Sequence, residues 1–190
     1  MKVFLPLFIL VFLTSCAAKY GIVAGAQMPK YEEDVTIIDL FGGSDTDLEP
    51  YTTDGTGFHI GISEETDWLL TKISYYQNTY SNESYKLESS TIKTDLKESG
   101  VMGTTGFKLW WFQPLFGFKY VSREYSNPQA PSDTNYILWT LGMDIEVPMS
   151  KRFYVYGGYH YSSGSDLDIT HDTEFTVKTM VLGLRYNFSE

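Results

Sequence analysis

The chain has 190 residues, 43% of them hydrophobic and 16% aromatic, and a net charge of −10. One domain is the natural expectation at this length, and a surface this acidic repels nucleic acid rather than binding it. The single cysteine excludes an internal disulfide, and no run of about 20 apolar residues follows the N-terminus, so a membrane-crossing helix is excluded for the mature chain.

The chain opens on Met1 and Lys2, then runs apolar from Val3 to Leu13, broken only by Pro6, and reaches the small residues Thr14, Ser15, Cys16, Ala17 and Ala18. This is the layout of a secretory signal. Residues 1–15 are therefore read as a signal peptide for Sec export, and 16–190 as one barrel domain. Leu13-Thr14-Ser15-Cys16 resembles the lipobox of bacterial lipoproteins, which implies lipidation of Cys16. Ordinary cleavage after Ala17 or Ala18 is the alternative, since both sites follow small residues.

Beyond the signal, segments rich in Tyr, Phe, Trp, Val, Ile and Thr predict strands over 20–28, 55–63, 67–80, 100–112, 115–125, 134–147, 151–162 and 174–188. No segment holds a 3.6-residue period long enough for a helix. Tight turns are expected at Glu64-Glu65-Thr66, Gln113-Pro114 and Pro148-Met149-Ser150. Long polar loops are expected at 29–54, 81–99, 126–133 and 163–173. Alternating short and long connections are the habit of outer-membrane barrels. The predicted fold is all-β: an eight-stranded, antiparallel, up-and-down transmembrane β-barrel.

Alternate residues of a strand face opposite sides. Met180, Leu182, Leu184, Tyr186 and Phe188 share a face, as do Ile137, Trp139, Leu141, Met143 and Ile145, and as do Phe116, Phe118 and Tyr120. The opposite face collects Lys108, Lys119, Arg123, Asp144, Glu146 and Arg185, and Lys72 and Arg152 are expected to join them. Turned outward, the apolar face meets lipid and the charges pair inside a narrow lumen filled by side chains, with no diffusion pore. Turned inward, the same pattern describes a soluble, lipocalin-like periplasmic lipoprotein. Aromatic residues beside the tight turns (Trp68, Trp110, Trp111, Phe112, Phe116, Phe153, Tyr154) form the girdle expected at a membrane interface and favour the first reading.

The opening Tyr20-Gly21-Ile22-Val23-Ala24-Gly25 and the closing Leu182-Gly183-Leu184-Arg185-Tyr186-Asn187-Phe188 resemble the small outer-membrane barrels, OmpX-like proteins and the barrel domain of OmpA-like proteins. The resemblance implies an integral protein of the bacterial outer membrane, inserted by the barrel-assembly machinery, surrounded by lipid and lipopolysaccharide, and monomeric. Ser189 and Glu190 follow Phe188, where those families usually end on the aromatic residue. A second resemblance is to the lipid A 3-O-deacylases, on His160-Tyr161-Ser162 and a downstream Glu174. It implies an esterase triad in which Ser162 attacks, His160 takes its proton and Glu174 orients the His. Ser163 stands where that family has Asn, and parity turns His160 inward.

The acidic stretch 29–54 carries Glu32, Glu33, Asp34, Asp39, Asp45, Asp47 and Glu49, and the last loop carries Asp166, Asp168, His171 and Asp172. No fixed metal-ligand spacing appears, and neither a metal nor a cofactor is expected. The function expected from these residues is non-enzymatic: membrane stabilisation or surface contact through acidic loops. A lipid A deacylase-like esterase and the lipocalin-like lipoprotein are the alternatives.

Overall fold

A computed structural model describes residues 18–37, 46–47, 51–87, 90–125, 135–167 and 171–188. The signal segment and Cys16 lie outside the described residues, as do Asp39, Asp45, Glu49 and Asp168 of the acidic loops. The strands are β1 (Lys19–Ile37), β2 (Thr46–Asp47), β3 (Tyr51–Glu65), β4 (Leu69–Leu87), β5 (Ser90–Phe107), β6 (Phe112–Tyr125), β7 (Asn135–Pro148), β8 (Phe153–Leu167) and β9 (His171–Asn187). β2 is a two-residue flank on the end of β1. The other eight are antiparallel, each pairs with its sequence neighbour, and β9 pairs back onto β1 from Gly21↔Asn187 to Ile37↔His171. Closure leaves none of the eight as a free edge over the body of the barrel, so the up-and-down barrel is the fold.

Burial alternates along the strands, except beside the β3–β4 turn, where 63–65 and 70–72 are buried without a break. On β7 the outward residues Ile137, Trp139, Leu141, Met143 and Ile145 are exposed while Leu138, Thr140, Asp144 and Glu146 are buried. The apolar side chains thus point out and the charged ones in, the opposite of a lipocalin-like barrel. The outward apolar run spans eight residue steps from Tyr20 to Met28 on β1, and ten from Ile137 to Val147 on β7. At about 3.4 Å per residue and a tilt near 40°, that is a band roughly 21–26 Å tall, matching the roughly 25 Å of an outer-membrane barrel. Thr56, Gln77, Ser99, Ser122 and Asn135 stand where the band stops at the end away from the tight turns.

Three connections differ from expectation. β4 and β5 pair as far as Leu87↔Ser90, where a loop over 81–99 is expected. β8 and β9 pair to Leu167↔Asp172, well into the expected 163–173 loop. β1 reaches Ile37 inside the expected 29–54 loop. Above the apolar band the outward residues turn polar, while the inward face stays buried at Tyr31, Tyr80, Leu96 and Val177, so pairing continues without the outward apolar run that marks a strand in sequence.

Gln113 and Pro114 are strand residues, paired with Asp144 and Met143. The turn lies earlier, at Trp110-Trp111, closed by backbone hydrogen bonds of 2.8 and 3.1 Å between Leu109 and Phe112. Pro114 suggested a turn, but as the third residue of β6 it is tolerated near a strand start. Trp110 adopts φ 61°, where glycine is the usual occupant, and is 96% exposed. A side chain in this region costs about 1 kcal/mol. Trp110→Gly is expected to gain that much in a urea titration in detergent micelles; a lower midpoint would mean that the indole contributes more than its strain.

Candidate functional site

The inward face organises its charges in three tiers, each built from strands that are distant in sequence. In the tier near the tight turns, Arg185 on β9 is fully buried. Its Nη1 donates to Glu65 Oε2 at 2.6 Å and to Asn187 Oδ1 at 2.6 Å. Its Nε and Nη2 grip the Glu146 carboxylate at 2.8 and 2.6 Å. This two-pronged contact is the strong form of an arginine–carboxylate pair. Gln113 donates to Glu146 at 3.1 Å, Asn187 to Glu65 at 2.8 Å, and Lys108 bonds the other Glu65 oxygen.

In the middle tier, Asp144 accepts from Lys72 Nζ at 2.8 Å with one oxygen and meets His160 Nε2 at 2.8 Å with the other. Gly158 faces Asp144 across β7 and β8, and a Cβ there would overlap the carboxylate. The glycine makes room for the acid. The Lys72 ammonium also sits 4.1 Å from the centre of the Tyr156 ring, whose hydroxyl bonds His59 Nε2.

In the upper tier, Glu98 accepts from Lys119 at 2.6 Å and Asn78 at 3.4 Å, with Arg123 Nη2 at 3.8 Å. Arg123 donates to the Tyr31 hydroxyl at 2.7 Å. Its guanidinium lies 4.1, 4.6 and 4.9 Å from the rings of Tyr31, Tyr136 and Phe175, so aromatic faces supply much of its surroundings. Leu96, Val121, Leu138 and Val177 pack around this group.

Of the residues singled out in the sequence, Lys72, Lys119, Arg123, Asp144, Glu146 and Arg185 lie buried in the lumen, and Lys108 lies half-buried at its rim. Arg152 does not join them. It is exposed on the β7–β8 turn, because β8 begins at Phe153 and leaves it outside the alternation. His160 and Ser162 both face inward. Ser162 Oγ bonds Thr140 Oγ1 at 2.8 Å, and His160 is engaged by Asp144. Glu174 faces outward on β9 and is exposed. His160 pairs with Thr179, five residues along β9 from Glu174, so the two are separated by about 17 Å along the strand. The three residues do not meet in a hydrolytic triad.

Glu65, Glu98 and Tyr156 were missed in sequence. Glu65 and Glu98 fell in an assigned turn and loop, yet both continue the inward parity of their strands, Glu65 after His59, Gly61 and Ser63, and Glu98 before Gly100 and Met102. Among the described residues no group of three or more His, Cys, Asp or Glu is placed to hold a metal.

No protein-family model matches this chain, and no curated protein does. Solved structures do. Neisserial surface protein A is similar with a TM-score of 0.53 at 16% identity, covering 90% of this chain and 99% of that one. Ail, the attachment invasion locus protein of Yersinia pestis, is similar with a TM-score of 0.51 at 18% identity, again over 90% and 99%. Both alignments extend over nearly the whole of the compared protein, and the shared feature is the small outer-membrane-type barrel fold.

Proposed function

We propose that this chain is a non-enzymatic integral protein of the outer membrane, exported by its N-terminal segment, holding a side-chain-filled barrel in the bilayer and presenting the strand extensions and acidic connections above it to lipopolysaccharide or to surface partners. The observation that carries the reading is the polarity of the barrel. An outward band of mostly apolar and aromatic side chains encloses a lumen in which each of four buried carboxylates has a Lys or Arg within 4 Å. Water would not tolerate such an exterior. Inward side chains in three tiers fill the interior, which supports a scaffold without a diffusion pore. The engagement of His160 by Asp144 and the outward turn of Glu174 weigh against esterase chemistry.

Fractionation tests it. The protein should stay with membranes through carbonate washing and leave only with detergent. Unboiled, it should migrate differently on a denaturing gel from the boiled form. Release into the periplasmic fraction without detergent would overturn the proposal.

A further inference from the structure

Among the described residues, the most exposed large apolar side chains are not on the strands that form the apolar band. Trp68, Leu109, Trp110, Trp111 and Met149 are each at least 61% exposed, whereas no large apolar residue of a strand exceeds 57%. All five lie in the three tight turns, between β3 and β4, β5 and β6, and β7 and β8. Each turn is tied to the chain beside it by a backbone hydrogen bond. Lys108 N donates to Trp68 O at 2.9 Å, Glu146 N to Trp111 O at 2.9 Å and Asn187 N to Arg152 O at 2.8 Å. Phe188 N closes the circle on Tyr20 O at 2.8 Å. Trp68 also stacks on Phe107, with ring centres 6.0 Å apart. The turns are thus one fixed collar around this end of the barrel. At the tip of the middle turn Trp110 holds a φ of 61°, which glycine would hold without cost, so strain is kept where it sets an indole outward.

A ring of exposed apolar tips marks a surface that meets something other than water. We propose that the collar lies within the phospholipid headgroup layer of the leaflet at the turn end, so that the turns themselves, and not only the strand aromatics of a girdle, are immersed. The inference rests on the membrane reading above. Three features of the place favour lipid. Leu109 and Trp111 continue past the strand ends the outward run of Phe107 and Phe112, so the collar is continuous with the apolar band. The other exposed collar residues include Asp67, Ser150, Lys151 and Arg152. Indole rings beside long cationic side chains match a layer that is apolar on one side and phosphate-bearing on the other, whereas the centre of a protein interface is depleted of charge. A circle of tips around a filled barrel is also a rim, which fits a continuous layer better than a single globular partner. This end of the barrel then offers no free apolar face to an aqueous protein.

Fluorescence quenching in vesicles reads the level of the collar. A chain with Trp68→Phe, Trp111→Phe and Trp139→Phe keeps Trp110 alone of the four tryptophans. A second, with Trp68→Phe, Trp110→Phe and Trp111→Phe, keeps Trp139, which faces outward in the band on β7. In phosphatidylcholine brominated near the glycerol end of its chains, both should lose most of their emission, and iodide present on both sides of the vesicle should quench neither. Bromine near the chain ends should quench Trp110 less. Trp110 quenched by iodide and indifferent to brominated lipid, with Trp139 quenched by the lipid, would overturn the inference while leaving the membrane reading standing. Trp139 quenched by iodide and indifferent to the lipid would instead strike the membrane reading itself. If a triple variant fails to fold, the difference between the wild type and Trp110→Phe under the same quenchers reads the same indole.

Discussion

Arg185→Met should destabilise the folded barrel by about 3–5 kcal/mol, the cost of removing one partner from a buried charged network. The substitution keeps most of the side-chain volume but strands Glu146, which loses both prongs of its contact, and leaves Glu65 with Lys108 and Asn187 alone. Urea titration in vesicles, followed by the gel mobility of unboiled samples, measures it. The double variant Arg185→Met/Glu146→Gln should recover part of the loss, because the stranded charge goes with its partner. A single variant as stable as the wild type would mean that water reaches this end of the lumen.

Leu184→Arg tests the other face. Leu184 stands at the middle of the outward run from Met180 to Phe188, paired with Ala24 and Val155, where no acid is within the row. In a bilayer an arginine at mid-depth on the lipid face costs about 2–4 kcal/mol. Thr176→Arg, outward on the same strand but above the band, should change stability by no more than about 0.5 kcal/mol. The depth dependence is the decisive measurement. Equal, small effects at both positions would mean that water rather than lipid surrounds the band.

The apolar band was legible in sequence because it obeys one rule over long stretches: on β7 from Ile137 and on β9 from Met180 every second residue is large and apolar. The charges of the lumen were legible for the same reason, Lys119, Arg123, Asp144, Glu146 and Arg185 all falling on the opposite parity. What parity could not give was pairing. Arg185 meets Glu65, which lies 120 residues away, and Lys72 meets Asp144 across 72. Those contacts depend on strand tilt and on side-chain length across the lumen. The strand ends along 81–87 and 90–99 were illegible because the outward parity turns polar there, at Asp95 and Lys97, while the large apolar residue, Leu96, falls on the inward side. Pro114 misled because its usual role as a turn residue was stronger than its tolerated role near a strand start. Arg152 misled because parity was carried one residue past the end of a strand.

The seam between β1 and β9 has a kinetic meaning. It joins Gly21 to Asn187, nearly the full length of the chain, whereas every other barrel pairing is a hairpin between sequence neighbours. Hairpins can zip early, but the seam must wait until the last strand is in place, and its loop-closure cost is the largest in the fold. Arg185, Glu65, Glu146 and Asn187 are drawn from β9, β3 and β7, so they reach one another only in the closed barrel. The tier near the tight turns therefore gives little help in finding the closed state and much in keeping it. It acts as a latch on the rate of opening, and a chain that loses it should form its barrel at a near-normal rate and lose it quickly.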